Sequence, residues 1–224
     1  MSISKQQFAG ASKAGSSLIS PFEQRIEGTV VPKIPPWLET HHLTMLTVVW
    51  CALILAFSYL ARGERRWLWG VSMMIVCQYV TDFLDGKVGK YRNTGLVKWG
   101  FYMDHLLDYV FLCSVVIGYA LILPESSGYH LLLILAIYGG YMVNSFLAFA
   151  ATEKFHISHL KLGPTEFRVA LVIINTLLIL YGTARMVKVL PFVAAGSLLG
   201  LVVLVYRTQK EIWKIDTERR DNSQ

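Results

Sequence analysis

Charged side chains are scarce in this sequence, which argues against a soluble domain. Asp, Glu, Lys and Arg make up 16% of the 224 residues, whereas soluble domains usually carry about 25%. Cysteine is scarce too: Cys51, Cys77 and Cys113 all lie in apolar runs, so neither a disulfide framework nor a cysteine metal site is expected. No long apolar run occurs near the start, so we expect no cleaved signal peptide.

The sequence is instead rich in long apolar runs. Such a run needs about 20 residues to cross the hydrocarbon core of a bilayer as an α-helix, and Leu43–Ala61 contains no Asp, Glu, Lys, Arg or His. We predict an all-α integral membrane bundle of six transmembrane helices, forming one domain over residues 37–207. The predicted spans are Leu43–Ala61, Trp67–Leu84, Phe101–Leu123, Tyr129–Ala151, Phe167–Tyr181 (with a possible start near Pro164) and Leu190–Tyr206.

The basic residues predict an orientation for this bundle. If both termini face the cytoplasm, 16 of the 21 Lys and Arg residues lie inside, and outside remain only Arg62, Arg65, Arg66, Arg185 and Lys188. Inward-facing loops of membrane proteins carry such an excess. We therefore predict a multi-pass protein whose termini and active site are cytoplasmic. Contact with anionic membrane lipids accounts for the net charge of +6 without a nucleic-acid partner.

The segments that flank the bundle are more polar. We predict a disordered tail over residues 1–18, an amphipathic interfacial helix over residues 19–36 and a cytoplasmic C-terminal tail over residues 208–224. Phe22, Ile26 and Val30 recur at helical spacing in the second segment, and a soluble leader helix is its alternative. Gly196 and Gly200 form a small-residue pair on the sixth span, which is compatible with a homodimer.

Four aspartates interrupt the apolar pattern. Asp82 and Asp85 end the second span, three residues apart, and Asp104 and Asp108 begin the third, four residues apart. These spacings place each pair on one helix face, so the two pairs can converge. Clustered carboxylates in a membrane repel each other and favour hard cations. We therefore predict a pair of Mg²⁺ or Mn²⁺ ions, which would clamp a pyrophosphate.

The connection between these spans, Gly86 to Gly100, is read as a loop rich in glycine and positive charge. Glycine lets a backbone approach a ligand closely, and cations attract phosphates. The residues concerned are Gly86, Gly89, Gly95, Gly100, Lys87, Lys90, Arg92 and Lys98.

The whole stretch Asp82-x2-Asp85-Gly86-x2-Gly89-Lys90-x9-Gly100-x3-Asp104-x3-Asp108 resembles the motif of the CDP-alcohol phosphotransferases, D-x2-D-G-x2-A-R-x8-G-x3-D-x3-D. Gly89 stands for Ala, Lys90 stands for Arg, and the gap before Gly100 is one residue longer. Pro36-Trp37-Leu38 with Leu43-Thr44 resembles the family's lead into its first span. Six spans with a cytoplasmic site are the family's usual architecture.

The resemblance implies roles for these residues. Asp82, Asp85 and Asp104 would bind the metals, and Asp108 would bind the second metal or take the proton of the acceptor. The CDP portion would be held by Gly86, Gly89, Lys90 and Gly100.

His105 and Glu166 resemble a narrower branch, the choline and ethanolamine phosphotransferases, in which such a pair would serve the acceptor hydroxyl. A histidine oriented by a carboxylate can act as a base at physiological pH. The alternative is an interfacial histidine and an acidic residue at a helix N-terminus. Arg168 could meet a phosphorylated acceptor or a lipid headgroup, and Tyr141 and Asn144 could line the acceptor cavity or bond a neighbouring helix.

The expected function is metal-dependent transfer of a substituted phosphate from a CDP-linked lipid donor to an alcohol acceptor, releasing CMP, in phospholipid biosynthesis. CDP-diacylglycerol is the favoured donor, because most six-span relatives use it. The alternative is CDP-choline or CDP-ethanolamine with a lipid acceptor. A cation transporter is a different class that also places acids in membranes.

Overall fold

The computed structural model of the protein describes residues 29–152 and 164–221, and these contain helices and turns without a strand. Six long helices follow one another: α1 Thr40–Leu60, α2 Leu68–Arg92, α3 Val97–Ile122, α4 Gly128–Thr152, α5 Pro164–Tyr181 and α6 Thr183–Asp221. The predicted tail over residues 1–18, and residues 19–28 of the predicted interfacial helix, lie outside the described residues.

The predicted all-α membrane bundle is confirmed. Five segments are long and apolar enough to cross a membrane, and they contain α1, α2, α3, α4 and most of α6. The remaining helix, α5, begins at Pro164 and has 18 residues, which corresponds to about 27 Å and is slightly less than the hydrocarbon thickness of about 30 Å. It also carries Glu166, Arg168 and Asn175. We therefore find six long helices in the described residues, as expected, of which the fifth is the shortest.

Three helices extend beyond the apolar runs. The interpretation of Gly86 to Gly100 as a loop is wrong, because α2 continues to Arg92 and α3 begins at Val97. Helix α6 begins at Thr183 and continues to Asp221, so the predicted C-terminal tail is helical through residue 221. An apolar run marks the part of a helix that contacts lipid, and polar residues can continue the same helix into water.

The C-terminal ends of α2 and α5 are each followed by a residue with left-handed backbone geometry. Asn93 has φ 51° and donates its N–H to the carbonyls of Gly89 and Lys90, which ends α2. Gly182 has φ 77° and is the single residue between α5 and α6. Asn and Gly are the residues that tolerate this conformation best.

The bundle has a dense centre and a more open side. Helix α1 packs against both α2 and α3, α5 packs on α2, and α4 contacts both α3 and α6. The most completely buried large apolar side chains are Ile54, Leu68, Ile75, Leu178 and Leu190. The helices that carry the four aspartates are therefore held at the centre of the packing.

Small residues allow close helix contacts. A Cβ on Gly118 of α3 would lie 2.6 Å from Ser58 Oγ of α1. Gly200 contacts Tyr141 of α4, whose hydroxyl donates to the Ser197 carbonyl at 2.9 Å. Gly196 has open space beside it. Gly200 thus serves a contact within the chain, and a homodimer through this helix stays a prediction.

The segment before α1 is clamped onto the end of α2. Arg92 donates hydrogen bonds to the backbone carbonyls of Ile34 at 2.7 Å and Leu38 at 2.8 Å, with longer ones to two prolines between them. A second apolar cluster of Val31, Leu43, Leu84 and Val88 lies beside this clamp. The described part of the predicted interfacial segment therefore packs on the bundle.

One face of α5 is buried against α2 and α3. Arg168, Leu171, Asn175 and Leu178 are all buried, at alternating spacings of three and four residues that define one helix face. Asn175 accepts a hydrogen bond from the Tyr119 hydroxyl at 2.9 Å and donates to Ser72 Oγ at 3.0 Å. These polar contacts orient α5, and they place Arg168 two turns away among the aspartates.

Candidate active site

The four aspartates lie within two neighbouring helices, Asp82 and Asp85 on α2 and Asp104 and Asp108 on α3. They are deeper in the helices than the apolar runs indicate. Helix α2 ends at residue 92, ten residues after Asp82, which corresponds to about 15 Å along the axis. The carboxylates are therefore partly enclosed by the bundle and do not simply cap helix ends.

Arg168 of α5 joins the two acidic helices. Its Nη2 donates to Asp82 Oδ2 at 2.9 Å and to Asp108 Oδ1 at 3.3 Å, and its Nε donates to Gln78 Oε1 at 2.7 Å. The Arg168 side chain is 7% exposed, and Gln78 is also buried. Because a buried cation is tolerated only when it is paired, these contacts stabilise both the guanidinium and the carboxylates.

Asp85 has a different partner. The Thr44 hydroxyl of α1 donates to Asp85 Oδ2 at 2.8 Å, and both residues are buried. Thr44 Oγ1 also lies 3.0 Å from the Thr40 carbonyl, so the hydroxyl is held between an acceptor on its own helix and the carboxylate. This contact fixes the orientation of Asp85 relative to α1.

Negative charge remains in excess at the site. Asp104 lies close to Asp82, Asp108 and Asp85. A single guanidinium can neutralise only one of four carboxylates, and facing carboxylates repel each other unless a cation lies between them. Carboxylate oxygens are the ligands that Mg²⁺ prefers. The donor set therefore fits divalent cations in chemistry and charge.

The side chains are not arranged as a closed metal cage. Among residues 29–152 and 164–221, no group of three or more His, Cys, Asp and Glu side chains converges on one point. Arg168 lies between Asp82 and Asp108 and keeps these two carboxylates apart from a common ligand. The sequence predicted a cluster of four carboxylates, and the structure differs from it mainly because Arg168 contacts two of them.

The glycines of the motif differ in their surroundings. A Cβ added to Gly86 or Gly100 would meet no atom within 4 Å, whereas one on Gly89 would lie 3.0 Å from Thr40 Oγ1. Thr40 Oγ1 is buried and lacks a hydrogen-bond partner in the described part of the chain. Gly89 therefore has a packing reason to be glycine. Packing gives no reason for Gly86 and Gly100.

The remaining candidates for nucleotide contact lie on helical turns. Gly86, Gly89 and Lys90 are on the last turns of α2, and Gly100 is in the first turn of α3. Lys90 is exposed. The backbone N–H groups of α2 are used within the helix, so room beside Gly86 and the charge of Lys90 are what this segment can offer a ligand.

His105 lies on α3 directly after Asp104. Its Nδ1 lies 2.7 Å from the Phe101 carbonyl, and its ring packs against the rings of Phe101 and Phe146. A hydrogen bond from Nδ1 to a carbonyl leaves the basic lone pair of the neutral ring on Nε2. Nδ1 is also 3.7 Å from Asp104 Oδ2. The histidine thus borders both the acidic site and α4.

Glu166 lies in the first turn of α5, two residues before Arg168. An acidic residue is favourable at that end of a helix because of the helix dipole. Its half-buried position is compatible with either of the roles considered from sequence. Tyr141 and Asn144, the other candidates on α4, both contact α6, through Ser197 and Thr208 respectively.

Sequence reasoning did not assign three residues that organise the site. Arg168 was recognised only as a possible phosphate or headgroup contact, and Gln78 and Thr44 had no assigned role at the site. Gln78 lies four residues before Asp82, on the same helix face, and a polar residue in an apolar run is a usable signal. The pairing itself spans 90 residues, and nothing local in the sequence specifies it.

Comparison with known proteins identifies the family of this chain. The sequence model of the CDP-alcohol phosphatidyltransferase family matches residues 41–205. The inner membrane protein YnjF of Escherichia coli (strain K12) is 32% identical over 119 residues, covering 50% of this chain and 52% of the relative. The chain thus spans about half the length of that relative, and no solved structure matches it significantly. Since the match covers well over half of the chain and all four aspartates, this protein belongs to the CDP-alcohol phosphatidyltransferase family.

Proposed function

We propose that the protein transfers a substituted phosphate group from a CDP-linked donor to an alcohol and releases CMP, in a reaction that depends on Mg²⁺ or Mn²⁺. The main support is the presence of all four aspartates, in the order of the family motif, within the region that matches the family, with Asp82 on α2 and Asp108 on α3 both in contact with Arg168. The excess of negative charge at this point needs cations. The open space beside Gly86 and Gly100 is consistent with a ligand that approaches the helix backbone.

In this proposal Asp82, Asp85 and Asp104 hold the metals, and Asp108 holds the second metal or takes the proton of the acceptor. Two divalent ions, when bound, would polarise the phosphate oxygens and neutralise the charge that develops on them. The Thr44 hydroxyl would keep Asp85 oriented. The chain's own contribution is then mostly positioning and electrostatic stabilisation, as in phosphoryl transfer generally.

The donor we favour is CDP-diacylglycerol, on the basis of the six-helix architecture. The alternative donor, CDP-choline or CDP-ethanolamine with a lipid acceptor, is supported by His105 beside Asp104. A cation transporter is disfavoured by the family match. The position of the aspartates does not distinguish a transporter from a transferase, because they lie within the helices and not at their ends.

The direct test supplies purified protein with Mg²⁺, each candidate donor and a panel of alcohols. We expect CMP release and a phosphatidyl-linked product from CDP-diacylglycerol, identified by mass spectrometry. An aminoalcohol phospholipid formed from CDP-choline or CDP-ethanolamine would instead favour the alternative. If no combination of donor and alcohol releases CMP, the proposal is contradicted.

The metal assignment predicts that a chelator abolishes turnover and that Mg²⁺ or Mn²⁺ restores it. Asp82→Asn, Asp85→Asn and Asp104→Asn should each lower turnover by about 100-fold or more, the usual effect of losing a preorganised electrostatic group. Asp216→Asn is the matched control, because Asp216 is exposed on α6 and should leave turnover unchanged. Near-normal turnover in any of the three site variants, at normal expression, would refute the assignment.

The space beside Gly86 predicts opposite effects on stability and on donor binding. Gly86→Ala should stabilise α2 by about 0.5–1 kcal/mol, because alanine favours the helix, and should raise the KM for the donor. Gly196→Ala is the control, since Gly196 is also helical with open space beside it. It should stabilise α6 similarly without changing KM. An unchanged donor KM in Gly86→Ala would show that this space is not used by the donor.

Variants of His105 and Asp108 distinguish which of the two residues acts as the general base. If His105 is the base, His105→Ala should lower turnover by roughly 10²–10⁴-fold, the range of general-base catalysis, while donor affinity is retained. Glu166→Gln should be milder, and the double variant little worse than His105→Ala. If Asp108 is the base, Asp108→Asn should lose activity while His105→Ala keeps it. A His105→Ala enzyme within a few-fold of wild type would reject His105 as the base.

The cytoplasmic orientation predicts a labelling pattern. Asn93 follows α2, and Ser126 lies in the turn before α4 at the opposite end of α3; both are exposed. In a background without the native cysteines, Asn93→Cys should react with an impermeant thiol reagent only from the cytoplasmic side, and Ser126→Cys only from the other side. The reverse pattern would place the site away from cytosolic nucleotides and contradict the proposed location.

A further inference from the structure

Arg168 occupies a position that the proposed cations also require. Its Nη2 contacts one oxygen of Asp82 and one of Asp108, and both carboxylates belong to the proposed metal site. A guanidinium and a divalent cation on the same carboxylates repel each other strongly in a poorly solvated site. Both therefore cannot make their best contacts with these two side chains at once.

We propose that Arg168 is the counter-ion of the metal-free site and that it competes with divalent cations for Asp82 and Asp108. This inference rests on the proposed function, because it requires that the carboxylates bind metal. It assigns Arg168 a positioning role: it keeps two acidic helices together before the ions bind, and it gives up its carboxylate contacts when they do.

The contacts on the other side of Arg168 allow this exchange without loss of the guanidinium from the bundle. Nε is held by Gln78 Oε1 at 2.7 Å, and Gln78 is not a carboxylate. The guanidinium also lies 5.8 Å from the ring centre of Tyr79 and 5.7 Å from that of Phe111, where aromatic faces favour a cation. Arg168 can thus release Asp82 and Asp108 and still keep partners.

Competition predicts that metal affinity rises when Arg168 is removed, whereas a purely structural ion pair does not predict such a rise. If Arg168 competes, removing it leaves the carboxylates more available and tightens metal binding, because the coupling between two ligands is reciprocal. If Arg168 only braces the helices, its removal lowers stability and leaves metal affinity unchanged or weaker. If Arg168 assists the metals, its removal weakens their binding.

The test is a titration of the purified full chain in detergent with Mn²⁺ alone, with free Mn²⁺ followed by its electron paramagnetic resonance signal. Arg168→Gln should lower the Kd for Mn²⁺ by roughly 5- to 150-fold, the usual range of coupling between two sites. Arg168→Lys keeps the charge but loses the planar fork, so its Kd should lie between those of wild type and Arg168→Gln. Arg185→Gln is the matched control, since Arg185 is exposed at the start of α6, and should match wild type.

Thermal melting gives a second readout on the same samples. Without metal, Arg168→Gln should melt below wild type, and Mn²⁺ should raise its Tm by more than it raises the Tm of wild type. If Arg168→Gln does not fold, Arg168→Lys provides the test, and it should bind Mn²⁺ more tightly than wild type because lysine lacks the fork that contacts both carboxylates. Gln78→Leu should bind Mn²⁺ more weakly than wild type, because it removes the partner that holds the guanidinium after it releases the carboxylates.

The outcomes separate this inference from the proposed function. A wild-type protein that binds Mn²⁺ together with Arg168 variants of equal or weaker affinity would overturn the competition and leave the metal site standing. Absence of Mn²⁺ binding in wild type and in every variant would overturn both.

Discussion

Placing four carboxylates inside a helix bundle that spans a membrane is expensive, and the pairing of those carboxylates governs much of this structure. Asp82 and Asp108 are paired with Arg168 from α5, and Asp85 with Thr44 from α1. Ionisable groups in a membrane are tolerated when they face the bundle interior and find partners there. The acidic site is therefore assembled from four helices, although only two of them carry the aspartates.

This requirement explains the character of α5. Its buried face carries the polar residues Arg168 and Asn175. Hydrogen bonds to Gln78 at one level and to Ser72 at another attach it to α2. In a low-dielectric bundle such contacts are costly to leave unmade, so α5 and the site stabilise each other.

The helical continuation of α2 changes how the motif can meet a ligand. Gly86 and Lys90 lie on a helix, and the turn that follows is limited to the few residues around Asn93. A helix presents side chains and space to a ligand and keeps its N–H groups for its own hydrogen bonds. The proposed donor would therefore be bound beside the helix, where Gly86 leaves room, by side-chain charge and bound cations.

Several features followed from the sequence alone. The apolar runs determined the membrane bundle, and the spacing of Asp82, Asp85, Asp104 and Asp108 determined that each pair shares a helix face, because helix geometry relates residues three and four apart. The motif also identified the family, which the match over residues 41–205 confirms. The ends of α2, α3 and α6 were not predictable in this way, because apolar runs record contact with lipid and helices continue beyond it.

Only the tertiary structure decided which partners the carboxylates have. Arg168 lies 86 residues from Asp82 and 60 from Asp108, and Thr44 lies 41 from Asp85. Helix periodicity carries no information across such separations, since the pairing depends on how α1 and α5 pack against α2. His105 is an intermediate case. Its place beside Asp104 follows from the sequence, whereas its contact with Phe146 of α4 is a consequence of packing. Local spacing thus indicated the candidate residues of the site, and helix packing determined the charges and hydrogen bonds that surround them.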